Sequence, residues 1–504
     1  MSEIAERLAK ASPEEKRALL AQLLRQKVQR PKCHPLSFAQ ERLWVLDQLM
    51  RGSTAYNIPA GVRLKGPLNL AAFEQSLNEI RRRHEILRTT FAVAGEEPVQ
   101  VIGSPEPVPV RFSDLSELPE TEREPEALRL VTEEWQRPFD LTRGSLLRVN
   151  VLRLGDEDHV VAFTIHHIVS DGWSMRVLVK ELMALYQAFS EGKPSPLSEL
   201  PIQYGDYARR QREELSSNVL ETQIAYWKQQ LDGSPPLLEL PTDHARPPVQ
   251  SFNGGFQSIV LAEALREPLR QLSRRHSATL FIALLTAFQI LLHYGSGQTD
   301  IVVGTPVAGR DRVETEGLIG FFVNTLLLRL RISGDPTFRE LLSQVRETVL
   351  QAQANQDVPF EKLVEVLQPE RNTSYMPLFQ VAFSFTNAPR KTFTLPDLGM
   401  TEFGAPTGTA KFDLDFAVVE TNQRLIATLE YSTDLYEAAT ILQMLKRYET
   451  LLLRIVARPD ARLSEYTQAL VEADSQRKIA EEQHLTQARL EKFKQVRRKR
   501  VTSA

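Results

Sequence analysis

Apolar residues recur at helical and at strand spacings through the first part of the chain, and the two patterns alternate. Residues 69–91 carry apolar side chains at helical spacing, behind an N-cap candidate at Asn69, and end in an extended Thr89–Phe91. The apolar run Val160–Ile165 has the length of a strand and predicts a central buried strand. Helical spacing returns at Leu178–Phe189. These patterns predict alternating helices and strands.

A proline-rich stretch separates this part from a second patterned part. Five prolines fall between Asp232 and Pro248, which is typical of a loose connection. The helices predicted after it are one through Leu292, Phe338–Ala354 and Ala438–Ala457, and the strands are Asp300–Val303, Phe379–Phe385, Phe412–Val419 and Leu425–Tyr431. The sequence therefore predicts a mixed α/β fold in two halves of similar size.

We divide the chain into four segments. They are an N-terminal helical segment at 1–34, a first lobe at 35–231, a second lobe at 232–465 and a charged helical tail at 466–504. Ser12–Glu15 starts the N-terminal helix, which packs on the body or docks on another chain. Residues 489–500 hold seven Lys and Arg and one acid. This tail is an exposed helix, a docking segment for an acidic partner such as a carrier protein, or a linker from a longer chain.

Composition narrows the class of protein. The 504 residues are 42% hydrophobic and 25% charged, with a formal charge of −3, which excludes a disordered chain and a basic nucleic-acid-binding body. The single cysteine, Cys33, excludes an intramolecular disulfide and a thiolate metal cage. Met1–Lys10 has no signal-peptide core, and the most apolar stretch, Leu280–Leu292, is shorter than the ~20 residues of a membrane span. We expect a cytoplasmic protein without membrane or nucleic-acid partners.

The candidate chemistry centres on the adjacent histidines His166 and His167. They end the predicted central strand and precede an Asp171-Gly172 turn, which places them at the edge of a sheet. A neutral imidazole can accept a proton from an attacking amine or hydroxyl at cellular pH. A structural histidine pair and a Ser170 nucleophile are alternatives. A metal site is disfavoured because adjacent strand residues point to opposite faces, so no metal is predicted.

The pattern HHxxxDG resembles the signature of the condensation domains of nonribosomal peptide synthetases, which is shared with chloramphenicol acetyltransferase. Seven segments match that family in its order, over roughly residues 35–459. They are Ser37–Trp44, Arg83–Phe91, His166–Ser174, Tyr204–Ala208, Ile319–Thr325, Asn355–Glu361 and Arg371–Gln380. A single histidine motif is a weak signal, whereas seven matches in order identify the chain as a member of this family.

The resemblance implies an α/β fold of two chloramphenicol acetyltransferase-like lobes in a V-shaped pseudodimer with a central substrate tunnel. It implies condensation of a donor acyl or peptidyl thioester with an acceptor amine, each carried on the 4′-phosphopantetheine of a partner carrier protein. The chain itself binds no cofactor in this reading. The product is an amide in nonribosomal peptide or hybrid polyketide biosynthesis. Ester formation, transfer to a free amine and a catalytically silent carrier-protein platform remain alternatives.

The resemblance also implies roles for individual residues. His167 is the catalytic histidine, which either removes the proton of the amine or orients the amine. Asp171 organises the site through an arginine, for which Arg310 is the first candidate and Arg42 and Arg88 are alternatives. The other site-organising residues are His166 and Gly172, and the residues that support the motifs or the tunnel are Trp173, Ser174, Arg42, Arg88 and Asn324.

Overall fold

The computed structural model describes residues 32–214, 218–370, 372–387, 398–404, 408–421, 423–477 and 479. The predicted N-terminal helix and the basic residues 489–500 of the tail lie outside the described residues, as does Arg371 of the last motif. The tail is described over 466–477, where it belongs to a helix. Contacts between Cα atoms divide the chain into two units, which we describe separately. The described part of unit 1 is 32–214, 310–322 and 398–404, and the remainder belongs to unit 2. The segment boundaries inferred from the sequence stay predictions.

The helices are numbered in chain order. They are α1 Phe38–Leu49, α2 Leu70–Arg83, α3 Glu120–Trp135, α4 Gly172–Ser190, α5 Tyr204–Glu214, α6 Asn218–Leu231, α7 Glu263–Arg275, α8 Leu280–Ser296, α9 Val313–Glu316, α10 Phe338–Ala354, α11 Phe360–Leu367, α12 Ala438–Ala457 and α13 463–477. Short 3-10 helices span Glu85–Arg88 and His167–Val169.

The strands are numbered in the same way. They are β1 Lys32–Pro35, β2 Asn57–Lys65, β3 Thr89–Ala94, β4 Glu97–Ile102, β5 Val110–Asp114, β6 Leu147–Gly155, β7 Asp158–His166, β8 Gly254–Val260, β9 Asp300–Val307, β10 Asn324–Arg331, β11 Val381–Thr386, β12 Gly399–Glu402, β13 Leu414–Glu420 and β14 Leu425–Ser432. The mixed α/β character that the spacing predicts is confirmed.

Unit 1 contains a five-stranded sheet in the order β12-β2-β7-β6-β5 and a small sheet in the order β1-β4-β3. Strand β7 pairs antiparallel with β2 on one side and with β6 on the other, and it is buried from His159 to His166. An apolar run buried on both faces is what a central strand requires. The prediction of a central buried strand is confirmed, and its end lies in the middle of the sheet.

The first predicted helix is shorter than its apolar spacing indicated. Asn69 caps α2 as predicted, since its side chain accepts a hydrogen bond from the Ala72 N–H. The helix ends at Arg83 because His84 adopts an extended conformation, with φ −102° and ψ 99°. The apolar residues predicted to continue it lie in the 3-10 helix that leads into β3. A continuous helix up to the predicted extended residues is therefore a wrong prediction, whereas the extended Thr89–Phe91 is confirmed as the start of β3.

Two stretches from late in the chain complete unit 1. Strand β12 pairs antiparallel with β2, and the Phe403 N–H donates to the Gly61 carbonyl at 3.0 Å. A Cβ on Gly61 would lie 2.1 Å from the Phe403 carbonyl oxygen, so only glycine fits there. The stretch 310–322 adds Leu318, Ile319 and Phe322 to the core of unit 1. The apolar spacing did not predict either return.

Unit 2 contains a six-stranded sheet in the order β10-β9-β11-β13-β14-β8. Helix α8 is buried from Ile282 to Leu292, and its Phe288 stacks on Phe416 with ring centroids 4.6 Å apart. Within the described part of the chain, no single helix is long and apolar enough to span a membrane. Helices α7 and α8 have sufficient length and apolarity only when taken together, and the angle between them is 103°. The prediction that Leu280–Leu292 is a buried core helix is confirmed.

Candidate active site

Backbone hydrogen bonds on both sides hold the two histidines at the end of β7. The His166 N–H donates to the Leu146 carbonyl at 3.0 Å, and the His167 N–H donates to the Tyr56 carbonyl at 2.8 Å. The chain then turns through a 3-10 helix into α4, which begins at Gly172. The histidine pair therefore lies at the end of the central strand of the sheet, and hydrogen bonds to both neighbouring segments fix its backbone.

The two imidazole rings have different surroundings. His166 is buried, its Nδ1 accepts a hydrogen bond from the Ile168 N–H at 3.1 Å, and its ring meets Phe139 edge-on at 5.9 Å. His167 is partly exposed and its ring makes edge contacts with Phe321 at 4.9 Å and Tyr56 at 6.5 Å. His166 is therefore built into the turn, while His167 presents the more accessible imidazole.

Asp171 is fully buried, and three hydrogen-bond donors surround its carboxylate oxygens. Its Oδ1 accepts from the Ser174 N–H at 2.7 Å, which caps the N-terminus of α4. Its Oδ2 accepts from the Phe322 N–H at 3.0 Å. The third donor is Arg310, whose Nη2 lies 3.4 Å from Oδ1. Asp171 thus joins α4 to the returning stretch 310–322.

Of the three arginines considered for Asp171, the structure brings Arg310 to it. The Arg310 side chain is 1% exposed, donates to Ser174 Oγ at 2.8 Å and lies over the Phe322 ring at 3.9 Å. Burial lowers the pKa of Arg310, although the charge of Asp171 opposes this. Arg88 instead donates to the Gly103 carbonyl, and Arg42 lies partly buried on α1.

The backbone of residues 318–322 is held almost entirely by side chains of unit 1. The Leu318 carbonyl accepts from Arg310 at 2.9 Å, both the N–H and the carbonyl of Gly320 bond Ser174 Oγ, and Tyr204 donates to the Phe321 carbonyl at 2.6 Å. A Cβ on Gly320 would lie 2.0 Å from the Tyr204 ring. This conformation sets where the Phe321 ring meets His167.

Three residues near the histidine pair, Gly172, Trp173 and Ser170, differ in their surroundings. Apart from its chain neighbours and the backbone of its own helix, no protein atom lies within 4 Å of the position that a Cβ of Gly172 would occupy, so this position faces open space. Trp173 donates from Nε1 to the Glu316 carbonyl at 2.9 Å. Ser170, the alternative nucleophile, is 0% exposed, and its burial disfavours that role.

Asn324 belongs to unit 2, and its hydrogen bonds stay within that unit. Its Nδ2 donates to the Gln356 and Val358 carbonyls at 2.9 and 2.8 Å, and its Oδ1 accepts from the Phe360 N–H at 2.9 Å. It therefore satisfies backbone groups of the stretch before α11 and joins that stretch to β10.

The sequence motifs contained Tyr204 and Phe321 without giving them a role, and Tyr56 lies outside every motif. Its carbonyl and ring both contact His167, and the register of β2 against β7, in which Asn57 opposes His166, is what brings it there. No local signal identifies such a residue. In the described ranges no group of three or more His, Cys, Asp and Glu side chains is placed to hold a metal ion.

Comparison with known proteins shows the family of the chain. A family model described as the condensation domain matches residues 31–479. One of the linear gramicidin synthase proteins of Brevibacillus parabrevis is 49% identical over 436 residues, which are 86% of this chain and 9% of that protein. Chondramide synthase cmdD of Chondromyces crocatus is 44% identical over 431 residues, which are 86% of this chain and 11% of that protein. The chain thus spans about a tenth of the length of these relatives.

Solved structures show the same fold. The condensation domain from the monacolin K polyketide synthase MokA aligns with a TM-score of 0.76 at 26% identity, covering 86% of this chain and 99% of that one. The X-domain from teicoplanin biosynthesis aligns with a TM-score of 0.80 at 28% identity, covering 86% and 97%. The V-shaped arrangement and the tunnel stay predictions. With a family model over nearly all of its described residues and synthetase relatives near half identity, the chain belongs to the condensation domains of the nonribosomal peptide synthetases and related hybrid synthetases.

Proposed function

We propose that this chain joins a carrier-bound acyl or peptidyl thioester to the amine of a carrier-bound aminoacyl acceptor, with His167 as the catalytic residue. The observation that carries the proposal is the partly exposed His167 at the end of β7, whose backbone N–H donates to the Tyr56 carbonyl and whose imidazole meets the rings of Tyr56 and Phe321 edge-on. A site that positions one imidazole this closely fits acyl transfer better than a purely structural histidine pair.

The chemistry needs one proton to move. The acceptor nitrogen attacks the thioester carbonyl, the C–N bond forms, the C–S bond breaks, and the departing sulfur takes the proton that the amine gives up. A neutral imidazole at His167 can carry that proton or hold the amine by its N–H, and both roles require the same placement. The chain supplies orientation and proton handling, and the thioester supplies the activated carbonyl.

Asp171 and Arg310 organise this site rather than react. Three donors occupy both Asp171 oxygens, and its side chain is excluded from solvent, so it is not placed to accept a proton from substrate. We assign His166 and Ser174 to the same supporting role, since both are buried and bond the backbone of the turn or of residues 318–322. The open space beside Gly172 is the place we assign to substrate.

The substrates reach the chain on partner proteins. We propose that donor and acceptor carriers present them on 4′-phosphopantetheine arms in the cytoplasm, and that the chain binds no cofactor of its own. Neighbouring synthetase modules are further candidate partners, through the terminal helices. The relatives named above are synthases much longer than this chain, which supports this assignment.

A second candidate is a platform that gathers partner proteins without catalysis. The observation favouring it is the similarity to the teicoplanin X-domain, which was also solved as a complex with OxyB. Catalysis is favoured by the intact HHxxxDG pattern, which is formed here by His166, His167, Asp171 and Gly172.

The experiment combines the purified chain with loaded donor and acceptor carriers and follows both carriers by intact-protein mass spectrometry. Condensation adds the donor mass to the acceptor carrier and removes it from the donor. The H167A variant is the control. Absence of transfer across several carrier pairs supports the platform, and transfer to a free amine without an acceptor carrier supports a free-standing transferase. An acceptor ending in a hydroxyl tests ester formation.

A further inference from the structure

A buried cluster of ionic side chains lies behind residues 318–322. Arg83 donates from Nη2 to Glu181 Oε1 at 3.1 Å, and His84 Nε2 lies 3.0 Å from Glu181 Oε2. The side chains of Arg83, His84 and Glu181 are 3%, 1% and 9% exposed. On the opposite side of the imidazole, the Ile319 N–H donates to His84 Nδ1 at 3.2 Å. His84 therefore bridges α4 and the returning stretch.

The partners of His84 define which of its ring nitrogens donates a hydrogen bond and which one accepts. Burial raises the pKa of Glu181, but the hydrogen bonds from His84 and Arg83 and the charge of Arg83 outweigh it, and the net direction is downward. An ionised Glu181 only accepts, so Nε2 carries the hydrogen that bonds it. Nδ1 faces an N–H group and must be the acceptor. The two hydrogen bonds thus orient the ring with the hydrogen of Nε2 toward Glu181 and the lone pair of Nδ1 toward the Ile319 N–H.

Ile319 is two residues from Phe321, whose ring meets the His167 imidazole at 4.9 Å. Asp171, Ser174 and Tyr204 hold the backbone after Ile319, as described above, and His84 takes the amide before them. Without that bond the start of this run has a buried N–H and no partner for it. The run then relaxes toward another acceptor, and Phe321 moves with it.

We infer that His84, oriented by Glu181, is a positioning residue for acyl transfer, which acts through the backbone of Ile319–Phe321 on the placement of the His167 ring. This inference rests on the proposed function, since it concerns how His167 works. It assigns a task to the histidine of the Arg83–Phe91 motif beyond packing. The pair Arg83–Glu181 then serves to fix the ring orientation that Ile319 requires.

The test compares H84F with H84Q. Phenylalanine keeps the shape of the ring but offers no acceptor to Ile319 and no donor to Glu181. Glutamine carries both an acceptor and a donor at the end of its side chain, so it can serve both partners. We expect H84F to lower kcat by about tenfold or more, because a small displacement of the His167 ring misplaces it for transfer, and H84Q to recover most of it.

Two readouts separate positioning from simple stability. H84F is expected to leave the KM for both carriers within about twofold, because neither carrier is bound by His84. In ¹⁵N-histidine NMR spectra, with the His167 signals assigned by their absence in H167A, H84F is expected to shift the His167 ring signals and H84Q to restore them. The control is H159F, at another buried histidine of unit 1, which is expected to change neither kcat nor those signals.

Full kcat in folded H84F, an unmoved His167 signal, or an equal loss in H159F overturns the inference. H84N, which keeps a polar group for Ile319 on a shorter arm, replaces H84F if the latter does not fold, and its kcat is expected to lie below that of H84Q. Absence of transfer by the wild type is a failure of the proposed function instead, and the NMR comparison still reports on the coupling between His84 and His167.

Discussion

Asp171 and Arg310 are 139 positions apart in the sequence, yet Arg310 Nη2 lies 3.4 Å from Asp171 Oδ1 with both side chains almost excluded from water. The pair ties the start of α4 to the stretch that returns to unit 1. The Asp171 oxygens also accept hydrogen bonds from the Ser174 and Phe322 N–H groups. The aspartate of the HHxxxDG pattern therefore holds parts of the fold together. Removing it and removing His167 should therefore have different consequences.

H167A is expected to lower the transfer rate by about 10²–10⁴-fold, the range associated with loss of a positioned acid–base group. The melting temperature should change little, because the ring is partly exposed and the backbone N–H of residue 167 keeps its bond to Tyr56. Mass spectrometry of the carriers and thermal unfolding measure the two effects. The control is H244A, at a surface histidine paired with Glu437, which should keep the wild-type rate. Full turnover by H167A with a poor nucleophile would contradict the catalytic assignment.

D171N is expected to lose stability as well as activity. Every contact of the Asp171 oxygens is a donor, so an amide NH₂ group opposes a donor in either orientation, and the buried Arg310 loses its counter-charge. Breaking a buried pair on one side costs about 3 kcal/mol or more. Urea unfolding measures this. The comparison is D114N, at a surface pair with Arg153, where we expect a much smaller loss because solvent screens the pair. Equal losses of unfolding free energy at the two positions would show that the buried Asp171–Arg310 pair contributes no more to stability than the surface pair.

G172A separates space needed by substrate from space needed by the fold. The added Cβ meets no atom beyond its chain neighbours and its own helix backbone within 4 Å, so the melting temperature should stay near that of the wild type. If substrate uses this space, the transfer rate falls by about tenfold or more, since small misplacements of reacting groups are costly. The matched control is G155A, where the added Cβ makes ordinary contact with Asp158. A wild-type rate in G172A would place the substrate elsewhere.

The pH dependence of stability should include a contribution from Glu430. It opposes Asp415 across β13 and β14, and burial, helped by the charge of Asp415, raises its pKa to about 7. A raised acid pKa means that the folded state holds the proton more tightly. The stabilisation is present below the ordinary value of 4.5 and is lost as pH rises through about 7.

E430Q should therefore gain stability relative to the wild type between pH 5 and pH 8, by roughly 1–3 kcal/mol. Urea unfolding at both pH values measures this difference. D415N should give part of the same effect, because it removes the neighbouring carboxylate that disfavours ionisation of Glu430. A difference between E430Q and the wild type that does not change with pH would show that Glu430 does not titrate in this range.

Several elements followed from the sequence because their causes are local. Helices Phe338–Ala354 and Ala438–Ala457 begin and end where apolar spacing predicted, and Asn69 caps α2 with its own side chain. The histidine pair was correctly placed at a strand end, since the apolar run before it is a local pattern. The Asp171-Gly172 turn is a wrong prediction, because Asp171 caps α4 and Gly172 is the first residue of that helix. The order of seven short motifs was enough to identify the family.

The tertiary structure decided which distant groups meet. Apolar spacing over 69–91 could not reveal that α2 stops at Arg83, where His84 turns to bridge Glu181 and the Ile319 amide. The choice of Arg310 over Arg42 and Arg88 depends on the path of the chain back to unit 1, as does the pairing of β12 with β2. Periodicity records which face of an element is buried. The partner that a buried polar group finds depends on how the whole chain packs, because that packing sets the distances between residues far apart in sequence.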